Sequence, residues 1–191
     1  MPMRMQILRK IVAQPLVLLL FWPSLLATTL ARLSIDELAA VSDAVARVRC
    51  TATDSRWEGG SIWTVTTFDV METLKGNLPA EIEVRLPGGR VGHLTSTVDG
   101  TPKFAAGAEA VVFLEKSRAG GFTVAGWVEG TFRILRDPRT HAEIVTQDSS
   151  AFAVFDATTR TFRAEGVHRM PIEEFHARVV AAIARSEERP R

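Results

Sequence analysis

The loop Pro87-Gly88-Gly89-Arg90-Val91-Gly92-His93 is the stretch of this sequence best equipped for chemistry. Glycines accept positive φ and turn backbone N–H groups toward one point, where an anion can be held. Arg90 would add a full positive charge, and His93 a titratable ring. The competing reading is a strand-ending turn followed by a bulge. The loop lacks the Gly-Lys-Ser/Thr ending of a nucleotide-binding loop. With the turn-rich stretch up to Ala108, it is the place where a small-ligand protein or an enzyme would carry its site.

Trp57, Trp63 and Trp127 form the second candidate set. A tryptophan on a β-face offers a large apolar ring and one N–H, which suits anchoring a protein or a sugar. The alternative is a ring that closes one end of a small barrel core. Trp63 and Trp127 are placed inside strands. Trp57, ahead of Glu58-Gly59-Gly60, is expected to be the exposed one.

Other chemistry finds little support. His93, His141, His168 and His176 are not spaced to share a helix face or a strand face. No H-E-x-x-H occurs, so no metal ligand is assigned. Cys50 is the single cysteine, which excludes an intramolecular disulfide and a multi-thiolate zinc site. It falls on the apolar side of an alternating segment, as a small core residue rather than a reactive thiol. There is no G-x-S-x-G elbow, and Ser96, Ser149 and Ser150 stand in loop-like segments, as serines commonly do. No catalytic residue and no cofactor is assigned, and the chain is expected not to be an enzyme.

The elements that would position these residues are legible from periodicity. Ser34 and Glu37 make a capping box ahead of Ile35, Leu38, Ala39 and Val41. Ala44 to Thr53 alternates apolar with polar, the mark of a half-buried strand. Trp57 to Gly60 reads as a turn, and Ser61 to Leu74 as a long strand with apolar residues on both parities. Such a strand crosses two packed layers or curls into a barrel. Glu81 to Leu86 is a third strand. Arg90 to Ala108 is a long loop with short extended pieces. Ala110 to Leu114 is continuously apolar, hence central. Phe122 to Val128, Thr131 to Arg136 and Ala142 to Thr146 are further strands, the last two joined by the turn Asp137 to Thr140. Residues 149–168, with Phe152, Val154, Phe155 and Phe162, stay ambiguous. Pro171 opens a closing helix over 171–187, with Ile172, Phe175, Val179, Ala182 and Ile183 on one stripe, and His176 beside it as a partly buried flank.

Strands in series without helical crossovers predict a mainly β fold: a small antiparallel, OB-like barrel or sandwich with a short N-terminal helix and a C-terminal amphipathic helix. The chain has 191 residues, 46% hydrophobic and 24% charged, which suits one globular domain and excludes wholesale disorder. Residues 1–31 read as a secretory signal: Arg4, Arg9 and Lys10, an apolar run to Ala27, then Thr29-Leu30-Ala31. The uninterrupted apolar part, Leu16 to Trp22, is too short for a stable span. An uncleaved N-terminal anchor is the competing expectation. Losing Arg4, Arg9 and Lys10 with the leader takes the net charge from +1 to −2. A faintly acidic, exported domain at 32–191, periplasmic or extracellular, has little reason to meet nucleic acid, and after cleavage no membrane span remains.

Several stretches are familiar together. They are Arg56-Trp57, Ile62-Trp63-Thr64, Phe68 and Val70 running to Leu74-Lys75-Gly76, and Arg85-Leu86-Pro87-Gly88-Gly89 with Val91-Gly92. Pro102, Phe104 and Gly107 follow, before Val111-Val112-Phe113-Leu114, then Gly126-Trp127 with Gly130-Thr131-Phe132-Arg133. This set resembles a poorly characterised family of exported bacterial proteins. Its order over residues 43–135 is also similar to the netrin-like domain, the OB-type barrel of tissue inhibitors of metalloproteinases. That resemblance implies a non-catalytic, protein-binding module whose partner is an exported protein such as a protease. It departs where inhibition is decided. Those inhibitors grip the protease zinc through an N-terminal cysteine, whereas Arg32 is the expected mature start here and Cys50 lies within a strand. Cleavage after Ala31 predicts an exported form lacking residues 1–31. Intact mass spectrometry of that form checks it, and a full-length mass would make the segment an anchor.

Overall fold

Ala44, Ala46, Val48 and Cys50 are all buried on one side of the first long strand, and Val45 is buried on the other. Two cores, one on each face, account for this. The computed structural model describes residues 33–151, 154–156, 161–163 and 166–188. The expected leader, Phe152 and the last three residues lie outside the described residues.

The elements run in the following order: α1 (Ile35–Val41), β1 (Ala44–Glu58), β2 (Ser61–Lys75), β3 (Glu81–Pro87), β4 (Gly89–Val91), β5 (Leu94–Ser96), β6 (Glu109–Lys116), β7 (Phe122–Val124), β8 (Thr131–Arg136), β9 (Glu143–Gln147), a 3-10 turn (Asp148–Ala151), β10 (Val154–Asp156), β11 (Thr161–Arg163), β12 (Met170–Pro171) and α2 (Ile172–Glu188). The fold is mainly β, with a short leading helix and a closing amphipathic helix. In the large sheet the strands lie in the order β1-β2-β3-β7-β6-β8-β9-β12, and β1 also pairs with β6. The first five therefore form a ring, and β8, β9 and β12 continue from β6 as a side sheet.

The sheet is mixed where an antiparallel one was expected. β3 meets β7 in parallel, through the single pair Val84 and Phe122. Parity requires this. In a ring with an odd number of strands, neighbours cannot all run in opposite directions. The seam carrying the parallel pair is also the shortest. Register shifts in β1 between Val45/Ala46, Arg47/Val48 and Cys50/Ala52 supply the extra coiling that closure demands.

The inner core gathers Ala46, Val48, Cys50, Phe68, Val84, Leu86, Val112 and Leu114. The outer core gathers Val45, Val111, Phe113 and Phe132 beneath Leu38 of α1 and Phe175, Val179 and Ile183 of α2. The apolar run of β6 is thus explained by burial on both faces. Phe132 sits 5.5 Å from Phe113 and 4.8 Å from Phe175, ring centre to ring centre, so one side chain ties the side sheet to the ring and to the helix. Burying each such ring stabilises by about 2–3 kcal/mol. Cys50 is 1% exposed, as a small core residue.

Local expectations hold in part. The capping box is present: Glu37 N–H donates to Ser34 Oγ at 3.2 Å, and Ser34 N–H to Glu37 Oε2 at 2.8 Å. These bonds hold the Glu37 carboxyl below the ordinary carboxylate range. The expected turn Trp57 to Gly60 is only Gly59-Gly60, both at positive φ, because β1 pairs through Trp57 and Glu58. The strand expected over Phe122 to Val128 stops at Val124, since Gly126 and Trp127 take positive φ in a tight turn. Trp127 is therefore not inside a strand. The extended pieces expected within 90–108 are the hairpin β4–β5. Pro171 pairs with Ile144 as the last strand residue, and α2 begins one residue later. The ambiguous stretch contains a second small hairpin, with Phe155 opposite Phe162.

Charge pins the β1–β6 seam. Glu109 Oε2 accepts from Arg47 Nη2 at 2.7 Å, and Oε1 from Arg49 Nη2 at 2.7 Å; Arg47 also reaches Glu143 at 3.0 Å. Arg47, then Arg49, holds the Glu109 carboxyl below its ordinary value, against the opposing effect of burial. The sign follows: stability from this carboxylate is complete above the unfolded value near 4.5 and is lost as pH falls through the lower folded value. Glu109→Gln is expected to lower stability at pH 7 by about 1 kcal/mol and to flatten its decline below pH 4.5. Urea denaturation across pH 3–7 measures both.

Candidate functional site

The barrel interior changes character along β1 and β2. Cys50 opposite Phe68 is the last apolar inward pair; beyond the bulge, Thr53 stands opposite Thr66 and Ser55 opposite Thr64. These four inward side chains are short and polar, and a concavity of about 330 Å³ lies over them. Its floor is Leu86 and Phe104, with Phe104 edge-on to Phe68 at 4.8 Å. Its walls are the four hydroxyl residues just named and Thr95, Ser96 and Thr97, with Thr101. Arg90 and Lys103 also line it, with Val98, Pro87 and Pro102, and among the described residues the lining holds no carboxylate and no histidine. The volume lies at the small end of the range for ligand pockets.

The hydroxyls are oriented by one another. Ser55 Oγ and Thr64 Oγ1 share a hydrogen bond at 3.0 Å, and Thr64 Oγ1 donates to Gly88 O at 2.7 Å. Thr53 Oγ1 donates to Phe104 O at 3.3 Å. Thr101 differs, because its buried hydroxyl has no hydrogen-bond partner among the described residues.

The glycine loop serves as scaffold. Gly88 N–H donates to Ile62 O at 2.8 Å, so that amide is not turned to a ligand. Gly89 starts the short strand that crosses the barrel mouth. A Cβ there would lie 2.3 Å from both Ser55 Oγ and Thr64 Oγ1, at φ +131°. Gly92, at φ +57°, forms the hairpin turn with His93. The turn-and-bulge reading of this loop fits its backbone, and the loop also walls a concavity.

The expected site residues separate. Arg90 lines the pocket, its Nε donating to Gly92 O at 3.2 Å. His93 is exposed at the hairpin tip, outside the lining. Trp57 is 56% exposed and follows Thr53 and Ser55 on the same face of β1, one step beyond the pocket's outermost pair. Trp63 points the other way from Thr64 and lies half-buried under the Arg85 guanidinium at 5.5 Å. Trp127 packs half-buried on the inner core, near Gly100. Lys103 and Thr101 were not singled out by sequence reasoning, because a turn-rich stretch shows no period. The alternating hydroxyls at 53/55 and 64/66 were a usable signal.

A second concavity, of about 380 Å³, lies between α2 and the strands and is lined by Arg47, Glu72, Glu143, Glu173 and His176. His176 is exposed rather than a partly buried flank, and meets Glu72 at 3.2 Å. Arg47 is held by Glu109 and Glu143, so these charges largely satisfy each other. A third polar group, Glu129 with Gln147 and Ser149, is buried and braces the turn after β7 against β9. Among the described residues no group of histidine, cysteine and acidic side chains could hold a metal ion, and no helix is long and apolar enough to cross a membrane.

Comparison with family models, with curated proteins and with solved structures finds no match for this chain.

The close approach at Gly89 generates a test. Gly89→Ala is expected to cost about 1–3 kcal/mol and to release β4–β5 from the barrel mouth. Gly92→Ala, with open space around its Cβ, should cost only the positive φ, about 1 kcal/mol. Denaturation midpoints rank the two, and faster amide exchange confined to 89–96 identifies the released hairpin.

Proposed function

We propose that this chain is an exported, non-catalytic binding module whose small polar ligand enters the hydroxyl-lined mouth of the barrel. The observation that carries this reading is the pocket itself. It is concave, floored by Leu86 and Phe104, and walled by hydroxyls whose orientations are already set. A few placed polar groups over an apolar floor suit recognition. Among the described residues its lining holds no histidine or carboxylate, the usual base that activates a hydroxyl nucleophile, which supports binding over catalysis.

Trp57 favours a second reading, docking of an exported protein. A tryptophan 56% exposed near a hairpin tip is the kind of side chain that anchors a partner. The two readings differ in what binding perturbs. Residues 32–191 are titrated with a panel of neutral sugars, sugar acids and inorganic oxyanions, followed by amide NMR. Shifts confined to β1–β2 near Thr53 and Thr64, to β4–β5 and to Thr97–Phe104 are expected for at least one compound class. No shift from any class, or shifts elsewhere, would overturn the small-ligand reading.

A further inference from the structure

We propose that the barrel mouth binds the oxyanion-bearing part of its ligand, a carboxylate, sulfate or phosphate group, through Arg90 and Lys103, with Trp57 beside it as a stacking surface. The inference rests on the small-ligand reading above and names the ligand's chemical class.

Three observations converge. The first is charge. Among the described residues, Arg90 and Lys103 are the charged members of the lining, and both are positive. The mature domain expected from the sequence is slightly acidic, so a wholly cationic concavity runs against the average of the chain. Most arginines near the ring are neutralised: Arg47 and Arg49 by Glu109, Arg85 by Glu58, Arg133 by Asp148. Among the described residues, neither Arg90 nor Lys103 forms an ion pair. Both side chains are exposed, and an anion seated in the concavity would meet two cations that no carboxylate among the described residues pairs.

The second is the donor set. An oxyanion has only acceptors to offer, so it needs a donor whose proton is unspent; Thr53, Ser55 and Thr64 already donate or share theirs within the wall. Thr101 lines the concavity, and its hydroxyl, turned inward and buried, has no partner among the described residues, so a turn about its Cα–Cβ bond is what would offer that proton to an acceptor in the mouth. A buried polar group left unpaired costs free energy that an incoming acceptor recovers. The third is the apolar complement. Trp57 stands on the same strand face as Ser55, just past the mouth. A ring there can stack on the face of a sugar or of another flat carbon frame that carries the charge.

The chemistry is shared by free inorganic anions and by sugar acids, and the test separates them. The protein spanning residues 32–191 is titrated with sodium phosphate, sodium sulfate, glucuronate and glucose, read by amide NMR and tryptophan fluorescence. Glucuronate is expected to bind at least about tenfold more tightly than glucose, from one charge-assisted contact. Its binding should weaken as salt rises. Arg90→Gln and Lys103→Gln should each weaken it about tenfold, while Arg118→Gln, in the β6–β7 turn, should leave it unchanged. Trp57→Ala should reduce glucuronate binding and leave phosphate binding unaffected. Unaltered thermal unfolding keeps each variant interpretable.

Phosphate and sulfate binding as tightly as glucuronate would locate the recognition in the anion alone and would overturn the stacking role of Trp57. Glucose binding equal to glucuronate would overturn the anion proposal while the small-ligand reading stood. Unchanged binding in the Arg90→Gln, Lys103→Gln double variant would place the anion elsewhere and overturn it too. If no compound shifts any amide of the mouth, the proposal and the reading beneath it both fall.

Discussion

The pairing of β1 with β6 is the constraint on which the rest of this structure depends. It runs from Ala44 opposite Leu114 to Arg49 opposite Glu109, and it turns a sheet into a ring. Closure gives the inward residues of five strands a common interior. It also makes β6 a wall with two buried faces, so Val111 and Phe113 are free to build the second core under the helices. The Glu109 carboxylate between Arg47 and Arg49 fastens the polar end of this seam. The Lys116 N–H donating to Asp43 at 2.8 Å fastens the other.

The mouth follows from where that pairing ends. Past Arg49 the β6 partner is exhausted, and Cys50 closes the seam with bonds to Gly107 and Ala108. β1, β2 and β3 continue together past that seam, with Thr64 opposite both Ser55 and Leu86. On the inward face Thr53, Ser55, Thr64 and Thr66 come next, where alanine, valine and phenylalanine stand deeper in the ring, and buried Ile62 follows at the far end. Hydroxyls tolerate a solvated space, whereas exposed apolar side chains in the same positions would draw the hairpin down upon them. The concavity is thereby a property of the fold's geometry, with the hairpin β4–β5 as its wall and Gly89 as the residue that permits the wall to sit close.

Parity explains the mixed sheet, and it also explains a limit of sequence reasoning. The strands, the capping box, the two helices and the core positions were readable because each rests on local chemistry: alternation, a Ser34–Glu37 exchange, a stripe of Ile172, Phe175 and Val179. The parallel contact of Val84 with Phe122 was not, because only the ring's closure creates it. Trp57 and Glu58 were read as turn because Gly59-Gly60 follows them, yet the cross-strand partners Ile62 and Ser61 extend the strand through both. Trp127 was read as strand because apolar residues flank it, yet the chain must turn there to carry β8 from the ring onto the side sheet.

By itself the sequence determined a mainly β chain with one helix at each end of the folded part, a buried cysteine and a glycine-rich loop beside a cation. These are properties of nearest neighbours and of short periods. Only the tertiary structure decided that Arg90 shares a concavity with Lys103 and Thr101 while His93 stands outside it, and that Trp57 lies beside the mouth while Trp63 faces away. Those relations join residues far apart in the chain. They are set by which strand pairs with which and where each pairing stops, and closure of the ring makes that choice for all of them together.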